Sequence, residues 1–524
     1  MFLRVTNLRR RPGNWQLENG KSCRECGRMN RFGFHSPSMR ILLAVFILVL
    51  SSCSVTKRLE KSAKQNVLEA DALKTAHVGI SVFEPATGKY WYNYQGDKYF
   101  VPASNTKIPT CYAAMKYLGD SLVGLRYGFS DSIPSDYSIL VLQPTGDPTF
   151  LHSDFKSHPV SIFFDAALPK FSNRTALFDT IWKENSWGSG WSWNDYEESY
   201  MAERSSFPMF GNVVTIQPNK LNQSYISEHV GDKGIDLVKT QSSFFDTIIN
   251  NQIRPWLYTI YEKNDSVYFP TLNWRIERDL SKNEYVLHRS ANPFRTTQMP
   301  FVTKGSKTAQ AILAGSYHVR FGDIWPQARK DEFAFACPDC KVVKVQIAKW
   351  HKIHSQPTDS LLKPMMHRSD NFFAEQSLLM ASNEALGVMN DAKIIDTLLK
   401  TDFKDLPQKP RWVDGSGLSR YNLFTPQDFV VILNKMKNEF GMARIKEIFP
   451  TGGEGTLSSY YKKDSTFIYA KTGTLSGVVA LSGFLYTKEG KELIFSVLVN
   501  NHQASATDVR RAVERFIQGI RERY

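Results

Sequence analysis

Phe467-Ile-Tyr-Ala-Lys471-Thr-Gly473 opens the stretch that decides the fold. Residues 467–470 are aromatic, β-branched and small, and two apolar runs follow at 478–486 and 493–499, joined through Lys488-Glu-Gly490. Short apolar runs bounded by turn signals read as strands. The amphipathic pattern over 507–520 then closes the chain as a helix. Further strands of the same kind lie at the other end of the sequence. Residues 78–82 and 90–94 alternate around Pro85-Ala-Thr-Gly88, a strand, a turn and a second strand. A sheet split between both ends of the chain, with helices between, implies one domain interrupted by a large insert.

The intervening sequence divides accordingly. Ile108, Cys111, Met115 and Leu118 form a helical stripe after Pro102-Ala103, and helical patterning returns over 371–386. Thr425-Pro-Gln-Asp428 offers an N-cap, a Pro at N1 and an acid at N3 before the apolar run 429–433. Residues 131–355 differ, with many short strand-like runs and the Trp-rich stretch Trp187-Gly-Ser-Gly-Trp191-Ser-Trp193. The expected fold is α/β (α+β): an antiparallel sheet with helices over 71–130 and 356–524, interrupted by a mostly-β insert over 131–355 in one or two subdomains. No internal repeat is visible.

The 524 residues are 42% hydrophobic, 13% aromatic and 22% charged, which permits large cores and excludes disordered, collagen-like and coiled-coil chains. The net charge of +14 invites a nucleic-acid partner, but residues 1–40 carry nine Lys/Arg against two acids, half of the excess. The remainder has no basic run interleaved with aromatics, so no nucleic acid is expected.

That basic start reads as an address. Met39-Arg40 precedes ten apolar residues, 41–50, and then Leu50-Ser-Ser-Cys53. Ten residues fall short of the roughly 20 that span a bilayer, and the pattern resembles a bacterial lipoprotein signal with Cys53 as the lipidated residue. Residues 1–52 are then an extension and signal peptide, 53–70 a tether, and Met39 an alternative start. The expected location is the cell envelope, with a lipid anchor in a membrane and the folded part facing the periplasm or exterior. Six Cys are too few for a disulfide scaffold. Cys23/Cys26 and Cys337/Cys340 imitate a zinc pattern, but they lie far apart and the first pair precedes the expected cleavage, so no metal and no cofactor are expected. A local Cys337–Cys340 disulfide is the preferred reading.

Ser104-Asn-Thr-Lys107, Ser369-Asp-Asn371 and Lys471-Thr-Gly473 occur in that order. Alone each is weak: the first pattern recurs at Ser54, Ser153 and Ser459, and the second at Ser192-Trp-Asn194. Context separates them, because the first starts a helix after a strand, the second opens a helix and the third lies on a strand. A Ser hydroxyl needs a base to become a nucleophile, and a Lys three residues on returns to the same helix face. Lys107 can serve only if neutral, which means lowering its pKa from about 10.4 toward 7, at a cost of roughly 4 kcal/mol. Burial, the helix N-terminus and a second cation such as Lys471 push that way. Ser369 can relay a proton to a departing amine, and the Asn371 amide offers a donor and an acceptor to a peptide group. Lys471 and Thr472 supply a charge and a hydroxyl for a terminal carboxylate, and Gly473 removes a side chain that would block a ligand. Backbone N–H groups of Ser104 and Thr474 could face the developing oxyanion. The plainer alternatives are a surface helix lysine at Lys107, a helix N-cap at Ser369 and a solvated edge-strand lysine at Lys471.

Together the triplets resemble the penicilloyl-serine D,D-peptidases, and most closely the class C low-molecular-mass penicillin-binding proteins of the D-alanyl-D-alanine carboxypeptidase/endopeptidase type. The likeness extends to Gly146-Asp-Pro-Thr149, Trp191-Ser-Trp-Asn-Asp-Tyr196, Asp414-Gly-Ser-Gly-Leu-Ser-Arg420 and Gly452-Gly-Glu-Gly-Thr-Leu457, and covers roughly residues 70–524. The resemblance implies a transpeptidase/β-lactamase-like domain, cleavage of D-Ala-D-Ala termini or crosslinks in peptidoglycan peptides, and covalent inhibition by β-lactams. It also implies Arg420 near the side chain of the bound peptide. Two departures stand out: Pro144-Thr145 precedes Gly146 where relatives tend to have glycine, and Pro109 falls early in the helix, where it is expected to leave a carbonyl near Asn105 unpaired. The rivals are a serine β-lactamase, which must deacylate quickly, and a non-catalytic cell-wall-binding or β-lactam-sensing lipoprotein. A metallopeptidase is disfavoured, since His351-Lys-Ile-His354 is the only close His pair and no H-E-x-x-H exists.

Overall fold

The computed structural model describes residues 55–524 apart from 131–137, 219–226, 230–237, 241–244, 250–251, 254–258, 264–274, 289–294, 328–331 and 337–341. Cys23, Cys26, Cys53, Cys337 and Cys340 therefore lie outside the described residues, and Cys111 is a free, buried thiol. No helix among the described residues is long and apolar enough to cross a membrane. None of their His, Cys, Asp and Glu side chains cluster in a way that could hold a metal ion.

The two ends of the chain meet in one antiparallel sheet. Its strands are β1 (His77–Glu84), β2 (Lys89–Tyr94), β3 (Ile468–Leu475), β4 (Val478–Tyr486) and β5 (Glu492–Asn500), in the spatial order β3-β4-β5-β1-β2. The joining pair is β1 with β5, in a register that sets Val82 opposite Phe495 and Val78 opposite Val499. Strand β3 is one of the two edge strands and runs beyond the apolar 467–470, carrying Lys471, Thr472 and Gly473 within it. β4 and β5 are buried along nearly their whole length, so they read as continuous apolar runs rather than alternating ones.

Helices cover both faces. α1 (Lys107–Tyr117), α2 (Thr358–His367), α3 (Asn371–Leu386) and α4 (Pro426–Ile448) share one core, in which Ile108, Cys111, Met115, Leu118, Phe373, Phe429, Phe484 and Leu498 are buried together. α5 (Ala506–Arg523) closes the chain and packs on the sheet through Phe516 against Tyr92. The start of α4 follows the expected pattern: the Thr425 hydroxyl accepts from the Asp428 N–H at 3.1 Å, and the Asp428 carboxylate accepts from the Thr425 N–H at 2.9 Å.

A second, seven-stranded mixed sheet stands beside this unit. The chain enters it along Ser121–Phe129 and returns antiparallel to that strand along His351–Pro357, and the sheet continues through 140–144, 175–177, 321–326, 332–336 and 343–346. His351 and His354 are strand residues here; the first stacks on Tyr127 and the second lies 2.8 Å from the Ser121 hydroxyl. The turn after 140–144 tolerates Pro144-Thr145 because Thr145 donates to the Gly124 carbonyl at 2.9 Å while Gly146 alone takes a φ of +84°. Thr425→Ala is expected to cost about 1 kcal/mol, seen as a lower urea midpoint, with Thr425→Ser retaining most of the stability.

Candidate active site

Ser104 sits in a single 3-10 turn, Ala103–Thr106, that leads directly into α1. Ala103 holds a φ of +47°, and the Thr106 hydroxyl donates to its carbonyl at 2.9 Å, which fixes the entry to the turn. Since α1 begins at Lys107, Pro109 falls in its first turn, where an N–H has no intrahelical partner to lose. The Asn105 carbonyl is not left unpaired, since it accepts from the Lys107 N–H. Asn105, fully buried, points the other way, into the sheet: its amide, oriented as its partners require, donates to the Lys471 carbonyl at 2.8 Å and accepts from the Ser482 hydroxyl at 2.6 Å. The turn bearing Ser104 is thereby fastened to β3 and β4.

Lys107 is buried, and its Nζ has three neighbours: Ser104 Oγ at 3.0 Å, Asn371 Oδ1 at 2.7 Å and the Ser416 carbonyl at 2.7 Å. The Asn371 amide is fixed in this sense because its Nδ2 donates to the Tyr200 carbonyl at 3.0 Å. Two of the three neighbours can only accept, whereas the Ser104 hydroxyl can also donate. A neutral amine that gives its two N–H bonds to Asn371 and Ser416 must therefore aim its lone pair at the Ser104 proton. Burial lowers the Lys107 pKa to about 8, against the pull of Asp414, Asp370 and Glu375.

Ser369 and Lys471 complete the cluster. Lys471 Nζ donates to Ser369 Oγ and to the Thr472 carbonyl, each at 2.8 Å. Ser369 takes a φ of +62°, uncommon for a non-glycine residue, and the helix cap beside it is Asp370, which accepts from the Phe373 N–H at 2.9 Å. Lys471 is fully buried and pushed well below the ordinary lysine range, by burial first and by Lys107 second. Among the described residues no carboxylate offsets that push, so an arriving anion would supply a counter-charge. Thr472 is held by the Thr456 hydroxyl at 2.7 Å, and the exposed Thr474 hydroxyl accepts from Arg510 of α5. A Cβ on Gly473 would lie 2.7 Å from the Pro102 carbonyl and 3.1 Å from the Ser104 nitrogen, so only glycine lets β3 approach the turn this closely.

Behind Lys107 a polar frame holds the Ser416 segment. The Asp414 carboxylate accepts from the Gly417 and Ser419 N–H groups at 2.8 and 2.7 Å, from Asn422 at 2.7 Å and from the Trp191 indole at 3.0 Å. Glu375, one helical turn after Asn371 on α3, accepts from the Ser416 N–H at 2.7 Å. Burial raises Glu375 to about 7; Asp414 adds to this and Arg204 opposes it. Arg204, itself buried, lies 2.6 Å from Asp391 and 3.4 Å from both Glu375 and Glu184. Gly417 has a φ of +82°, and a Cβ there would meet the Ala103 carbonyl at 1.9 Å. Asn105, Glu375, Ser416, Thr456 and Arg510 were absent from the sequence-derived site. Signals for four of them were in the sequence: Asn105 lies inside the Ser104–Lys107 motif, Ser416 and Thr456 lie inside the quoted 414–420 and 452–457 stretches, and Glu375 stands one helical turn from Asn371.

The cluster opens into a cavity of about 810 Å³, lined by Ser104, Asn371, Tyr200, Trp191, Thr474 and Arg420 among others. Arg420 is exposed on its rim and donates to the Ser476 carbonyl at 2.6 Å. The structure thus brings together the groups of Ser104, Lys107, Ser369, Asn371 and Lys471, with Thr472, Gly473 and Thr474 beside them and Arg420 at the edge.

The sequence profile of the D-Ala-D-Ala carboxypeptidase 3 (S13) family matches residues 59–232 and 342–520. The chain belongs to that family. In this S13 peptidase the matched segments leave out residues 233–341, which lie within the insert. A D-alanyl-D-alanine carboxypeptidase of Actinomadura sp. is 24% identical over 462 residues, 84% of this chain and 80% of the relative. D-alanyl-D-alanine carboxypeptidase DacB of Haemophilus influenzae is 23% identical over 455 residues, 82% of this chain and 87% of the relative. Penicillin binding protein 4 (dacB) from Haemophilus influenzae superposes with a TM-score of 0.62 at 19% identity, over 88% of this chain and 98% of that one, a likeness of fold. The α/β fold with its antiparallel sheet is therefore shared with that solved structure.

Glu375→Gln keeps an acceptor for Ser416 but removes a charge that raises Lys107. It is expected to move the acid limb of β-lactam acylation to lower pH with the plateau kept. Glu375→Ala, by releasing Ser416, should lower the plateau about 100-fold. Stopped-flow acylation across pH reads both.

Proposed function

We propose that Ser104 is the nucleophile of a penicillin-sensitive D,D-peptidase that cleaves D-alanyl bonds of peptidoglycan stem peptides and crosslinks through an acyl-enzyme. The observation carrying this reading is the Lys107 amine, whose two acceptor-only neighbours leave its lone pair for Ser104. Lys107 removes the Ser104 proton as Oγ attacks the carbonyl of the penultimate D-Ala. N–H groups of Ser104 and Thr474 take the developing oxyanion. The C–N bond then breaks, and the proton travels from Lys107 through Ser369, steadied by Lys471, to the departing amine. Water releases the acyl group by the reverse relay. A substrate carboxylate finds Lys471, Thr472 and Thr474, with Arg510 supporting the last.

Arg420, at the far rim of the cavity, is assigned to the side chain of the acyl-side peptide. β-Lactams enter as covalent inhibitors, because their ring amide presents the same carbonyl and carboxylate to these groups. Residues 131–355 form the insert that walls the cavity through Trp191 and Tyr200, while 71–130 and 356–524 carry the chemistry. Cys53 anchors the protein by lipid to a membrane of the cell envelope, and the segment up to about residue 70 tethers it, in keeping with a substrate that lies outside the cytoplasm.

Incubation with penicillin followed by intact mass and peptide mapping tests the nucleophile. One adduct on Ser104, absent in Ser104→Ala and persisting for many minutes, is expected together with release of D-Ala from a pentapeptide by wild type alone. An adduct elsewhere, or loss of bound penicillin within seconds as in a β-lactamase, contradicts the reading.

The pH dependence has a definite sign. Because burial depresses Lys107 to about 8, the reactive neutral amine is scarce below that pH and dominant above it. The acylation rate is expected to climb with pH to a plateau beyond about 8, and a flat profile between pH 6 and 9 would remove Lys107 from the role of base.

A further inference from the structure

A second cavity, of about 410 Å³, lies on the Ser369 side of Asn371. Asn371 and Tyr200 line both cavities and form a shared wall. Ser104, Thr474 and Ser476 line only the larger one, and Ser369, Asp370 and Arg368 only the smaller. Resting on the acyl-enzyme reading above, we propose that the smaller cavity is the subsite for the leaving side of a crosslinked peptide, with Arg368 receiving a carboxylate of that strand.

The direction follows from the chemistry of acyl transfer. The acyl half of the substrate stays on Ser104 in the larger cavity, while the leaving residue keeps its own carboxylate on Lys471 and Thr472, beside Ser369. The amine half departs toward the group that protonates it, which is Ser369. Its 410 Å³ lies within the roughly 300–1,000 Å³ of ordinary ligand sites and exceeds what a single released alanine needs. A peptide strand attached to the leaving amine would use that space.

The lining suits such a strand. Arg368 pairs through Nη2 with Asp154 and, at 3.8 Å, with Asp370, while its side chain remains half exposed. Its Nε and Nη1 make no hydrogen bond with any of the described residues and present donors for a carboxylate. Gln298, on the insert, adds an amide capable of meeting a peptide group. His152 makes a firm wall, packed on the Phe373 ring with centroids 4.8 Å apart and backed by Gly211, where a Cβ would come 3.0 Å from the imidazole. Opening a crosslink forms the Ser104 Oγ–carbonyl bond and breaks the C–N bond. The Ser104 proton ends on the released amine, and water later restores the hydroxyl.

Arg368→Gln removes the guanidinium, and Ser153→Trp fills the cavity from an exposed loop position away from the catalytic groups. Steady-state kinetics of the purified protein would compare a D,D-crosslinked tetrapeptide dimer with a linear pentapeptide ending in D-Ala-D-Ala. Both variants are expected to lose at least about tenfold in kcat/KM on the dimer, chiefly through KM. D-Ala release and penicillin acylation should stay at the wild-type level. Equal losses on both substrates, unchanged dimer cleavage by the variants, or no dimer cleavage by wild type would overturn the subsite. Wild type that neither releases D-Ala nor forms a penicillin adduct would instead overturn the acyl-enzyme reading itself.

Discussion

A buried lysine is the constraint on which the rest of the structure turns. Lys107 is buried without a directly bonded carboxylate, so its charge is disfavoured and its hydrogen bonds must be met by neutral oxygens. Asn371 and the Ser416 carbonyl meet them, and each is fixed by a further contact: Asn371 by Tyr200 and Ser416 by Glu375. The carboxylates Asp414 and Glu375 sit behind this shell, where their charges temper the depression.

The fold serves that arrangement by joining parts of the chain that are distant in sequence. Pairing of β1 with β5 closes the sheet, which brings β3 against the turn before α1. Asn105 then ties the turn to the Lys471 carbonyl and to Ser482 on β4, so the nucleophile's backbone and the edge strand move as one piece. The insert adds the third side. Its Tyr200 orients Asn371, its Trp191 indole supports Asp414, and its Arg204 links Glu375 to Asp391 and Glu184. An element read from sequence only as a β-rich interruption thus contributes to the electrostatics around the base.

Much of this was readable in the amino-acid order. The strands at both ends, the capping box at Thr425 and the buried stripe of α1 follow from periodicity and cap chemistry, which are local properties. Boundaries moved only slightly: the strand read from the apolar 467–470 is Ile468–Leu475, and it carries Lys471-Thr-Gly473 as expected. The Pro109 expectation failed because the chain makes a 3-10 turn before the α-helix, shifting the proline into the first turn. The carboxylates around Lys107 and the role of Asn105 could not be read, since spacing along the chain carries no information on which buried groups will face one another.

The sequence by itself determined which residues could do the chemistry and on which elements they ride, because side-chain identity and helical or strand period are written locally. Tertiary structure alone decided the state of Lys107 and Lys471, since a pKa depends on burial and on neighbours drawn from separated segments: Asp370, Glu375 and Asp414 for Lys107, and Lys107 for Lys471. It also decided the shape of the two cavities, the larger between β3, the start of α3 and the insert, and the smaller between the start of α3 and the insert.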